Sequence, residues 1–145
     1  MKAVVFTLFL IACPALAAAP QAVASIKAGK ADCPHCDLAG ADLSNQCVKG
    51  GDLSGADFSG AKLVLTCMSK AKYRGARFTN ADMSGANLSD SDLSDADLSG
   101  AIFSATQARG TDFSKAKGLT QAQLNGTCGD ARTRAPAGLT VPRCD

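Results

Sequence analysis

The chain contains no glutamate and no tryptophan, one histidine and one tyrosine. A single histidine leaves little for general acid–base work, and no nucleophile, base and acid form a convincing triad. No glycine-rich phosphate loop follows a strand pattern, so no cofactor is implied. Neither sign of charge is in excess, with Lys+Arg 15 against Asp+Glu 13, which argues against a nucleic-acid partner. The longest apolar run, Ala3 to Ala12, is too short to span a membrane. At 145 residues the chain makes one domain.

Residues 1–24 differ from the rest. Lys2 is followed by the apolar run, and Ala15-Leu16-Ala17 or Ala22-Val23-Ala24 offers small-residue cleavage, the pattern of a secretory signal peptide. Leu10-Ile11-Ala12-Cys13 resembles a lipoprotein box, which would make Cys13 a lipid anchor. Residues 25–30 read as a poorly ordered linker of Ala, Ser, Gly and Lys.

From residue 31 the sequence repeats every five residues without insertion. The centres run Cys33, Leu38, Leu43, Val48, Leu53, Phe58, Leu63, Met68, Tyr73, Phe78, Met83, Leu88, Leu93, Leu98, Phe103, Ala108 and Phe113. Two residues before each centre sits a small residue, as at Ala41, Ala56 and Ala76, with Gln46 the misfit. Most aspartates fall just before a centre, where a short carboxylate accepts backbone hydrogen bonds in tight turns. A period of five matches neither an amphipathic helix nor a flat strand. It fits a path in which two residues of every five point inward, one large and one small.

The units Ala41-Asp42-Leu43-Ser44, Gly55-Ala56-Asp57-Phe58-Ser59-Gly60 and Gly85-Ala86-Asn87-Leu88-Ser89 resemble the pentapeptide-repeat family over about 85 of the 145 residues. The resemblance implies an all-β fold, a right-handed quadrilateral parallel β-helix with four repeats to a coil. Such a solenoid would occupy residues 31–117, with a short capping helix and tail at 118–145. Residues 20 apart would then stack, giving a core of Leu38, Leu43, Leu53, Phe58, Leu63, Phe78, Met83, Leu88, Leu93, Leu98, Phe103 and Phe113, and a body roughly 20 Å long. Outward columns would alternate in sign: Asp42, Lys62, Asp82; Asp52, Lys72, Asp92, Asp112; Asp57, Arg77, Asp97. Some family members imitate DNA and bind type II topoisomerases. That activity needs a continuous acidic face and a cytoplasmic location, and here Lys and Arg interrupt each acidic column.

Beyond the repeats, Thr120 and Gln123 form a capping box, Leu119 and Leu124 a hydrophobic staple, and Gly126 a stop. Seven cysteines, less Cys13 in the leader, leave Cys33, Cys36, Cys47, Cys67, Cys128 and Cys144, which suggests disulfides in an exported protein. A Cys128–Cys144 bond would close the tail. On the coil that the resemblance implies, Cys47 and Cys67 stack and Cys33 with Cys36 is the third pair. Sequence alone does not choose among 15 pairings. Cys33-Pro34-His35-Cys36 also resembles a thiol-oxidant motif, but no βαβ context surrounds it. Zinc held by Cys33, His35, Cys36, Cys47 or Cys67, and calcium held by Asp90, Asp92, Asp95 and Asp97, are weaker readings than disulfides and a solvated surface.

These features describe a non-enzymatic scaffold, periplasmic or secreted, that binds a protein or builds the envelope. The partner is unknown and a homodimer stays open. The alternatives are an envelope thiol-redox or metal-binding protein using Cys33 and Cys36, and a topoisomerase-binding DNA mimic if the chain is not exported.

Overall fold

The computed structural model describes residues 19–145. The lipoprotein box, the Ala15-Leu16-Ala17 cleavage motif and most of the leader lie outside the described residues.

The five-residue period sets a repeating pattern of backbone hydrogen bonds. The centre N–H donates to the carbonyl of the residue preceding the next circuit's centre, as in Leu38 N to Asp57 O at 2.8 Å. The residue before a centre donates back one circuit, as in Asp57 N to Cys36 O at 2.8 Å. Corner residues donate forward (Gly40 N to Ser59 O, 2.8 Å), and small residues close a local turn (Ala41 N to Leu38 O, 3.0 Å). Where the residue before the centre is Asp or Asn, the fifth N–H finds that side chain two residues earlier, as in Ser59 N to Asp57 Oδ1 at 2.9 Å. A buried segment must pair its N–H groups in this way.

Single-residue parallel bridges follow the same step of 20, among them Asp42 to Lys62, Cys47 to Cys67, Asp52 to Lys72 and Asp57 to Arg77. Large centres therefore lie in file. All twelve core residues named above are buried, as are Val48, Met68, Tyr73 and Ala108. The Phe58 and Phe78 rings stack at 4.8 Å, and Tyr73 meets both edge-on. Small-residue positions that carry a hydroxyl satisfy it in the core. Thr66, Ser91, Thr106 and Thr111 donate to the carbonyls of Leu43, Met68, Met83 and Leu88 respectively.

The expected all-β, closed right-handed β-helix solenoid is corrected. Regular elements comprise α1 (Pro20–Lys27), β1 (Thr106–Gln107), α2 (Gln121–Leu124) and β2 (Thr127–Cys128). Among the described residues the one regular sheet is β1 beside β2, parallel, two-stranded and open. The chain is thus a small mixed α/β domain whose sheet does not curl into a closed β-helix. The physical reason lies within each five. Only the residue before the centre makes a ladder bridge, and two residues after the centre the backbone turns sharply. Every fifth residue from His35 to Gly110 has positive φ, between 54° and 75°. Extension stops there, so bridges do not lengthen into strands.

The stretch read as the end of the leader and the start of the linker carries a helix. Residues 20–27 are helical, with Pro20 opening the helix and Lys27 in its last turn. Ala22 and Ile26, four apart on one face, are buried against the core. At the other end α2 has the full capping box: the Thr120 side chain accepts from Gln123 N, and Gln123 Oε1 accepts from Thr120 N. Gln123 Nε2 also donates to the carbonyls of Leu98 and Ala101, both at 2.9 Å. After α2 the ladder resumes with a slipped step. Thr127 pairs with Thr106 and Arg134 bridges Asp112, because the helix inserts extra residues into that circuit.

Candidate interaction surface

The cysteines pair locally. Cys33 is joined to Cys36, Cys47 to Cys67 and Cys128 to Cys144, with Cα separations of 5.5, 4.6 and 4.8 Å. His35 sits at the corner between Cys33 and Cys36, on a left-handed backbone (φ 59°). No helix begins there, so the setting that activates a thiolate in redox proteins is missing. Among the described residues no group of three or more His, Cys, Asp or Glu could hold a metal ion. The acidic cluster is dispersed. Asp92 and Asp97 accept from Ser94 and Ser99, Asp90 pairs with Arg132 at 2.8 Å, and Asp95 pairs with Arg74 at 3.5 Å.

One open depression of about 610 Å³ lies on the face of Arg77 and Asp97. Ala39, Gly40, Ser59, Gly60, Thr79 and Asn80 complete its lining. Its carboxylate, Asp97, is held ionised. Hydrogen bonds from Ser99 lower the Asp97 carboxyl and outweigh the opposing effect of burial, and Arg77 adds to the lowering. Ser99 Oγ lies 2.6 Å from Asp97 Oδ1.

The exterior charge is banded along the stack. From Phe58 to Ala81 the acid-free stretch carries Lys62, Lys70, Lys72, Arg74 and Arg77. From Phe78 to Ala108 the base-free stretch carries Asp82, Asp90, Asp92, Asp95 and Asp97. The step of 20 lays one band on the other, through Lys62 to Asp82, Lys72 to Asp92 and Arg77 to Asp97. Contact pairs are fewer than the columns suggest. Arg77 reaches Asp57 at 3.4 Å, while Lys62 and Lys72 close no ion pair among the described residues. Arg134 bridges Asp112 at 3.4 Å, extending that column beyond the repeats.

One face departs from this scheme. Its bridging column is Cys47, Cys67, Asn87 and Gln107, with no ionisable group. At the corner entering it stands Leu65, 62% exposed with φ 55°, directly after Val64. Ile102, 52% exposed, is on the preceding face. A Cβ built on Gly85 would meet Leu65 Cδ2 at 2.6 Å, so the leucine lies over a glycine one circuit later. Asn80 over Gly100 and Asp90 over Gly110 repeat the device. Reading the sequence by centres alone misses these residues. The signal was present in the corner phase, where Gly, Asn and Asp dominate and Leu65 stands out.

The family described as Pentapeptide repeats matches in eight copies, over residues 36–72, 74–114 and 91–128. The matched span exceeds half of the chain, and the chain belongs to the pentapeptide-repeat family. Pentapeptide-repeat proteins are a known non-catalytic structural and regulatory family. Among solved structures, it is 32% identical to HetL of Nostoc sp. strain PCC 7120, a pentapeptide repeat protein involved in heterocyst differentiation regulation. That match covers 68% of this chain and 48% of HetL, with a TM-score of 0.39, so the chain spans about half of that relative's length. A second Nostoc PCC 7120 pentapeptide repeat protein is 27% identical over 77% of this chain and 95% of its own, with a TM-score of 0.47. One from the cyanobacterium Cyanothece 51142 is 19% identical over 81% and 99%, with a TM-score of 0.43. No curated protein matches the chain. Among the described residues no helix is long and apolar enough to cross a membrane.

Proposed function

We propose that the chain is an exported interaction scaffold of the periplasm or secreted fraction, which presents the Val64-Leu65 corner and the uncharged face beside it to a protein partner. Leu65 carries this reading. A left-handed backbone costs a leucine about 1–2 kcal/mol relative to glycine, and at 62% exposure packing over Gly85 offsets only part of it. Strain kept at an exposed position supports a role outside folding. The Lys62 and Lys70 side chains on the same circuit would frame an anchor of this kind with rim charge.

Export is supported by the pairing of all six cysteines outside the leader, a pattern of oxidising compartments. In this reading Cys128–Cys144 closes the C-terminal cap. The test is capture of partners from envelope fractions by the parent chain, by Leu65→Gly and by a Lys62→Ser, Lys72→Ser, Arg77→Ser variant. Leu65→Gly should lose the partner while melting no lower than the parent. Equal capture by all three chains would remove this surface from the account. Cell fractionation with free-thiol counting tests export separately, with six oxidised cysteines expected outside the cytoplasm.

A further inference from the structure

We infer that the export leader is processed upstream of Pro20, so that α1 belongs to the mature protein as its N-terminal cap. The inference rests on the export reading above. Two small-residue motifs compete in the sequence, Ala15-Leu16-Ala17 and Ala22-Val23-Ala24. The second lies inside α1 (Pro20–Lys27). Cleavage acts on the unfolded chain, so burial does not protect that motif. The choice turns on what the mature fold would lose.

Cutting after Ala24 would discard Ala22, which is buried in the core cluster, and strand Ile26, which is 1% exposed. It would remove the Ala19 N bond to Asp37 O (3.1 Å), which ties the helix to the first circuit. It would also remove the Ala24 carbonyl that receives Ala28 N at 2.9 Å in the helix's closing turn. The first circuit, with Leu38, Leu43 and Val48 at its floor, would be left without a lid. An uncovered end of stacked repeats invites pairing with another chain. The helix is also built as a helix should be, with proline at its opening, buried residues four apart and a lysine in its last turn. A leader that is discarded has no need of that pattern.

The direct test is the intact mass of the protein recovered after export of the full chain from a bacterial host. A mature N-terminus between residues 13 and 20 is expected, with or without lipid on Cys13. A mass beginning at Ser25 overturns the inference and leaves the export reading standing. A full-length mass in the cytoplasm overturns the export reading, and the processing claim with it. The capping role is measured independently, on the mature chain carrying Ile26→Ser. Its melting temperature should fall by about 3 °C or more. An unchanged melt would overturn the cap, whatever the site of cleavage.

Discussion

The two ends of the stack are closed by different chemistry. At the N-terminal end α1 covers the first circuit mainly through apolar contact, with Ala22 and Ile26 buried and one ladder bond from Ala19 to Asp37. At the C-terminal end polar groups carry the closure. Gln123 satisfies two carbonyls, Thr133 Oγ1 donates to Ala108 O, and Asp130 accepts from Gly110 N. A disulfide then ties Cys128 to Cys144, and Gly129 N donates to Pro142 O at 2.7 Å. A periodic body can repeat its own solution indefinitely, but each end needs sequence of its own. The apolar end should therefore keep its closure when the Cys128–Cys144 bond or the Asp130 charge is removed, and the polar end should not.

The largest effect should come from the body on which both ends rest. Leu88→Asp puts an unpaired charge into a fully buried column, at a cost of about 3–5 kcal/mol. In urea, probes at both ends should then lose structure together; separate transitions would mean that the circuits do not share one core. Next, Cys128→Ser should cost about 3 kcal/mol for a pair 16 residues apart. That loss should loosen residues 126–145 first and leave α1 in place, as limited proteolysis would show.

A smaller change of opposite sign is expected at Tyr73. Its hydroxyl is buried with no hydrogen-bond partner among the described residues, and burial pushes the phenol far above its usual range. Tyr73→Phe should therefore stabilise by about 1–2 kcal/mol in denaturant titrations. A loss would indicate that the hydroxyl is bound after all.

Acid should distinguish the ends last and least. Desolvation raises the Asp130 carboxyl, but bonds from Arg132 and the Gly110 N–H outweigh it and hold the group at about 2. A carboxyl depressed in the folded state stabilises above its unfolded value, near 3.8, and that contribution disappears as pH falls through about 2. Melting temperature should thus decline between about pH 4 and 2. Asp130→Asn should flatten part of that decline, and Ile26→Ser should leave its slope unchanged.

Much of this was legible in the sequence. The spacing of Leu63, Met83 and Phe103 placed large side chains in file, and Thr120 with Gln123 announced α2. The strands were misread because the family resemblance carried an image of paved sheets. In each five only one residue ladders, and corners such as Leu65 and Asn80 end the extension. The segment 20–27 was hidden for a different reason. Its Ala-rich composition matches a leader and linker, and only its contact with Leu38's circuit makes it a helix of the body. Arg132 was invisible because its partners, Asp90 and Asp130, are 42 and two residues away.

Residue-resolved amide hydrogen exchange tests the central claim, a backbone whose N–H groups are satisfied every five residues by circuits 20 apart. The account predicts slow exchange at centres and the residues before them, such as Leu63, Lys62, Phe78 and Arg77. Where Lys, Cys or Arg replaces aspartate, the amides of Val64, Ser69, Arg74 and Thr79 have no such bond and should exchange fastest within that circuit. Protection that followed a period of two or 3.6, or that ignored position within the five, would contradict it.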